Sequence, residues 1–176
     1  MGYNDYIEQQ RRAQLLQEMK EKIKQYGWYA IGVFPCEGDV DPVPPFTYTV
    51  GLWKTFGHPE LVVSGVDNRI AHAILTGIID THIKPPAAGG TGTGVDTGRA
   101  YDGVLQDGYQ VAFRQLTVEQ IKEKCGWGHV YYEGQEYPVF QCLLPDKERR
   151  FPWDEGFEDP EGAEQELLYI TNKEDE

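Results

Sequence analysis

Serine is almost missing from this sequence: Ser64 is the only one in 176 residues. Gly65 follows it, but the Gly-x-Ser-x-Gly elbow that lifts a nucleophile out of a strand-to-helix turn is absent, which excludes a serine hydrolase of that kind. Cysteine is scarce as well. Cys36, Cys125 and Cys142 are odd in number and none stands in Cys-x-x-Cys spacing, so free thiols in a reducing compartment are expected rather than a disulfide framework. Cys142 lies in the apolar run Val139-Phe140-Gln141-Cys142-Leu143-Leu144 and reads as a small buried residue rather than a catalytic thiol. Positive charge is in short supply. Lys and Arg total 16 against 29 Asp and Glu, a formal net charge of -13. A nucleic-acid polymer and an anionic membrane surface would both be repelled. A few arginines gathered in a concave site could still outweigh a distant acidic surface. No apolar run approaches membrane-spanning length, and residues 5–26 are too charged for the apolar region of a leader peptide. These absences predict a cytoplasmic chain without a membrane or nucleic-acid partner; a homo-oligomer is compatible with them.

What is present is a globular composition. Hydrophobic residues make up 40% and aromatics 12%, too many for a disordered chain. The length predicts one domain able to bury a core without staples. Twenty Gly and eleven Pro predict short elements and many loops.

Residues 5–26 predict an amphipathic helix, with Leu15, Met19 and Ile23 at four-residue spacing, Leu16 and Tyr26 widening the stripe, and Gly27 as its stop. Such a helix serves either as a lid on a sheet, the preferred reading, or as a partner-binding element. Strands are predicted at 28–34, 46–53 and 60–64, the first two joined as a hairpin through the acidic, Pro-rich stretch 35–45. Asp67 caps a predicted helix running to Ile83, which Pro85-Pro86 ends. Residues 87–98 form a Gly- and Thr-rich flexible loop, and 109–116 an alternating strand. Thr117 and Gln120 form a capping box that opens a short helix to Lys124. The last strands fall at 130–132 and 137–144. Helices and strands do not alternate, so the expected fold is α+β: a mostly antiparallel sheet with two or three helices packed on it. The N-terminal helix belongs to the same domain as residues 27–170, and 171–176 form a frayed tail.

Five strings stand in a suggestive order: Phe46-Thr47-Tyr48-Thr49-Val50-Gly51-Leu52; Gly57-His58-Pro59-Glu60-Leu61-Val62-Val63; Tyr109-Gln110-Val111-Ala112-Phe113-Arg114; Phe140-Gln141-Cys142-Leu143-Leu144-Pro145-Asp146; and Phe151-Pro152-Trp153-Asp154. Together they resemble the bacterial family DUF4262, a domain of unknown function, from about Gly27 to Leu168. The resemblance implies a compact α+β domain and supplies no reaction.

Among candidate sites, His58-Pro59-Glu60 is the sharpest. His58 could act as general base oriented by Glu60 or Asp146; the competing reading is a turn histidine that donates to a backbone carbonyl. His72 and His82 are ten residues apart on one predicted helix, about 15 Å along it, and cannot share an ion, so no metal is expected. Gly89-Gly90-Thr91-Gly92-Thr93-Gly94 lacks the lysine and the following helix of a phosphate loop. It reads as a flexible surface loop, with a flap over a ligand as the minority reading. Arg69, Arg99 and Arg114, with Tyr48, Trp53 and His58, could line a pocket that clamps a polar or anionic ligand and stacks on a base. For Arg114 the alternative is an internal ion pair. The reading that follows is a non-enzymatic protein binding a small, nucleotide-derived ligand, without a cofactor. A hydrolase or transferase using His58 with a carboxylate is one alternative, a protein-interaction module another.

Overall fold

The computed structural model describes residues 2–40 and 42–170; the expected frayed tail lies outside the described residues. The chain opens with α1 (Tyr3–Tyr26), which buries Met19 and Ile23 and turns its polar positions outward. Gly27 ends it at φ 91°, with its N–H on the Ile23 carbonyl, a left-handed cap that glycine adopts without a side-chain clash. Tyr26, predicted to widen the apolar stripe, is instead 55% exposed.

Five strands make one sheet in the order β1-β2-β3-β5-β4: β1 (Tyr29–Val33), β2 (Phe46–Val50), β3 (Glu60–Ser64), β4 (Ala112–Gln115) and β5 (Val139–Leu143). Every neighbouring pair is antiparallel except β3 and β5, which run parallel. The fold is therefore α+β, with a mixed, mostly antiparallel sheet. Alternation along the strands feeds two cores, one on each face. Leu61, Val63, Phe113 and Cys142 join one core with α3 (Asn68–Ile78). Tyr48, Val50, Val62 and Val139 join the other, with Met19 and Ile23 of α1 and Ile121 of α4 (Val118–Lys124). The helix caps follow the sequence: Asp67 accepts from the Arg69 N–H at 2.8 Å, and Thr117 and Gln120 form the reciprocal capping box.

Two predicted strands are corrected. The strand expected over 46–53 stops at Val50, because Gly51 turns the chain at φ 108° into the short helix α2 (Leu52–Phe56). Residues 130–132 are not a strand. They end the helix α5 (Gly126–Tyr131) and its turn, where a side chain at Gly128 would place a Cβ 2.1 Å from the Tyr137 hydroxyl. The helix expected to reach Ile83 changes at Ile78 to a turn of π-helix over Ile79–Ile83.

The Gly-rich loop is not loose. Thr91 N–H bonds Thr81 O at 2.9 Å, Gly94 N–H bonds His82 O at 2.7 Å, and Val95 is buried in the first core. At the other end of the chain, residues 163–170 pass from one face of the sheet to the other. Glu164 N–H bonds Gly65 O at 2.8 Å, Glu166 N–H bonds the Ser64 hydroxyl at 3.0 Å, and Leu168 N–H bonds the Gln141 side chain at 2.8 Å. Ala163 packs on the first core and Leu168 enters the second.

Candidate functional site

The six side chains nominated from sequence do not form one site. Tyr48 is buried, and its hydroxyl accepts the Trp127 N–H at 3.0 Å. Trp53 is 41% exposed on α2. His58 is buried; its Nδ1–H donates to the Pro59 carbonyl at 2.7 Å, and Nε2 accepts the Val95 N–H at 3.0 Å. Desolvation on burial lowers its pKa, and the backbone hydrogen bonds to Pro59 and Val95 oppose that shift. It bonds neither Glu60 nor Asp146, so the histidine–carboxylate pair of the enzyme reading is not formed. Arg69 is exposed in the first turn of α3, and Arg99 lies over the Tyr101 ring at 4.6 Å. Arg114 stacks at 3.6 Å on Trp153, not on Tyr48 or Trp53, and bonds the carbonyls of Phe113 and Thr97. An aromatic ring and carbonyls thus take the place of the ion pair weighed for it.

A concave site lies elsewhere. Beyond the carboxyl ends of the two parallel strands opens a cleft of about 670 Å³. Val66, two residues past β3, and Leu144, immediately past β5, stand at its floor; Ile70 and Ile74 of α3, Leu105 and Ala163 complete the apolar lining. The loops that wall it are tied together by two arginines. Arg149 donates to the carbonyls of Gly108 and Asp107 at 2.7 and 2.9 Å. Arg150 Nε meets Asp146 Oδ2 at 2.8 Å. The Asp146 carboxylate also accepts the N–H groups of Glu148, Arg150 and Glu158. Burial alone would raise its pKa, but these hydrogen bonds outweigh burial and hold it below the usual aspartate value. Asp146 is thus committed to holding the loop. The remaining charges at the rim are Asp107, Glu158, Asp159 and Glu161, against Lys147, which forms no ion pair among the described residues.

The strings that shape this cleft and the central strands fall within a match to the family model described as domain of unknown function (DUF4262), which spans residues 22–158, well over half of the chain. The chain belongs to the DUF4262 family. No curated protein and no solved structure matches it.

In this DUF4262 domain the most perturbed acid is Glu60, 1% exposed at the start of β3. One carboxylate oxygen accepts the N–H groups of Gly51 and Trp53 at 2.8 and 3.2 Å, together with the Tyr132 hydroxyl; the other accepts the Thr49 hydroxyl at 2.6 Å. Burial pushes its pKa up to about 7, with the four hydrogen bonds opposing. The same enclosure raises Tyr132 and Tyr137 and pushes Cys125 up to about 12. Cys125 and Cys142 are buried and Cys36 is exposed, all three as free thiols. In the sequence Glu60 stands out as a partner for His58, while the walls of the cleft come from four separate stretches that no contiguous motif marks. The signals available were Leu144-Pro145-Asp146 at a strand end and Ile70 and Ile74 spaced to share a helix face.

Proposed function

We propose that this DUF4262 domain binds a small amphipathic ligand in the cleft beyond β3 and β5. The ligand's apolar body would lie on Val66, Ile70, Ile74 and Leu144, and its positively charged head would face Glu158, Asp159 and Glu161. One observation carries this reading: an apolar concavity of about 670 Å³, within the size range of small-molecule sites, at which Ile70 is left 53% exposed. Its position beyond the carboxyl ends of parallel strands is where open α/β sheets place their ligands. The rim charge argues against the nucleotide-derived anion suggested by the arginine supply, because four carboxylates repel phosphate and the three arginines lie elsewhere. Binding is preferred to catalysis, since no nucleophile, base and orienting group meet in the cleft among the described residues.

A thermal-shift screen of alkyl and aryl amines, each beside its isosteric carboxylic acid, tests this. An amine at about 100 times its Kd stabilises the native state by about 2.7 kcal/mol. Ile70→Trp, an exposed substitution that fills the cleft, is expected to abolish the shift while leaving the unliganded melting temperature nearly unchanged. No shift with any amine, equal shifts with the acids, or shifts that persist in the variant would each refute the proposal.

A further inference from the structure

A second concavity shares no lining residue with the cleft. It is a groove of about 920 Å³ between α1, α2 and α5. Lys20 and Lys24 stand one helical turn apart on α1, and Lys54 faces them from α2, its ammonium 5.7 Å above the Tyr131 ring. None of the three forms an ion pair among the described residues. Among the described residues Glu133 is the one acid that lines the groove, and Ile23, Phe56 and Tyr131 contribute apolar surface. Arg12, two turns before Lys20 on α1, lies over Trp127 of α5 at 5.9 Å.

Acids outnumber cations in this chain by 29 to 16. A stripe of unpaired cations along an aromatic groove is therefore complementary to a partner of opposite sign, and the whole-chain charge limits which partner. A polyphosphate backbone, with its dense charge, meets the repulsive field of the whole molecule. A polypeptide of moderate charge meets it less, and it also brings apolar side chains for Ile23, Phe56 and Tyr131. We propose that this groove docks an acidic peptide segment of another protein, one with apolar residues among its carboxylates.

The probe is a fluorescein-labelled synthetic peptide of about 12 residues built from Glu and Leu, read by fluorescence anisotropy at low ionic strength against the full chain. Binding is expected in the micromolar range, weakening as salt is raised. Reversing all three lysines (Lys20→Glu, Lys24→Glu, Lys54→Glu) is expected to weaken it at least about tenfold, whereas Lys122→Glu, an exposed reversal on α4, leaves it unchanged. All four lysines tested lie at the surface or on helix exteriors, and an unchanged circular dichroism melt verifies folding; a triple variant that melts early is replaced by the three single reversals, each read the same way. Failure of the peptide to bind at about 100 μM, insensitivity to the reversals, or equal binding of a single-stranded oligonucleotide or of anionic vesicles overturns the proposal.

Discussion

Glu60 shows what one buried carboxyl does for this protein. Its donors, Gly51 N–H and Trp53 N–H, are the free amides at the start of α2, so a side chain from the next strand caps that helix. Its ordinary pKa of 4.5 rises to about 7 on burial. Between those values the folded protein holds a proton that the unfolded chain has released. The stability this group contributes is complete below about pH 4.5 and is lost as pH rises through about 7, by up to about 3 kcal/mol. His58 has the opposite sign: its lowered pKa gives stability that is present above its ordinary range and is lost as pH falls. In Glu60→Gln the first slope vanishes and the second remains. Urea midpoints of the variant are expected to rise between about pH 5 and about pH 7, while those of the parent chain fall or stay level; a parent-like profile in the variant would assign the slope to other groups.

At the scale of elements, the passage of residues 163–170 past the end of β3 depends on one glycine. Gly65 sits at φ 79°, and a Cβ there would lie 1.9 Å from the Glu164 carbonyl oxygen. Gly65→Ala combines the left-handed penalty of about 1–2 kcal/mol with that clash, so a loss of more than about 2 kcal/mol is expected from chemical denaturation. Elements built from local signals were legible in the sequence. The stripe of α1, the Asp67 cap, the Thr117–Gln120 capping box and the strands β2, β3 and β5 all stand close to where the sequence places them. Elements set by distant partners were not. Leu52 continues the apolar alternation of β2, yet it and Trp53 turn into α2, which Glu60 caps. Val130-Tyr131-Tyr132 has strand-favouring side chains, yet α5 packs Gly128 against the Tyr137 hydroxyl. His58 showed both readings in the sequence, and its contact with Val95, 37 residues on, was beyond any local pattern.

For the whole molecule, the same division holds more strongly. The α+β class followed from the irregular order of strands and helices, but a cleft assembled from residues 66–74, 105–109, 144–150 and 158–163 has no contiguous signature. Nor had the cationic groove, since overall composition pointed to an acidic surface. The order β1-β2-β3-β5-β4 carries a kinetic consequence. Three strands meander locally at one end, two pair at the other, and the parallel seam between Glu60–Val62 and Val139–Gln141 is where the described strands of the two halves hydrogen-bond to each other. Closing that seam pairs Glu60 with Val139, 79 residues further along the chain (139 minus 60), and the entropy of ordering the intervening chain falls on one step. Val139→Ala is therefore expected to slow refolding, while Ile31→Ala, at the outer hairpin, mainly accelerates unfolding; stopped-flow chevrons separate the two. The join that gives this sheet its parallel pair would then also set the clock for its assembly.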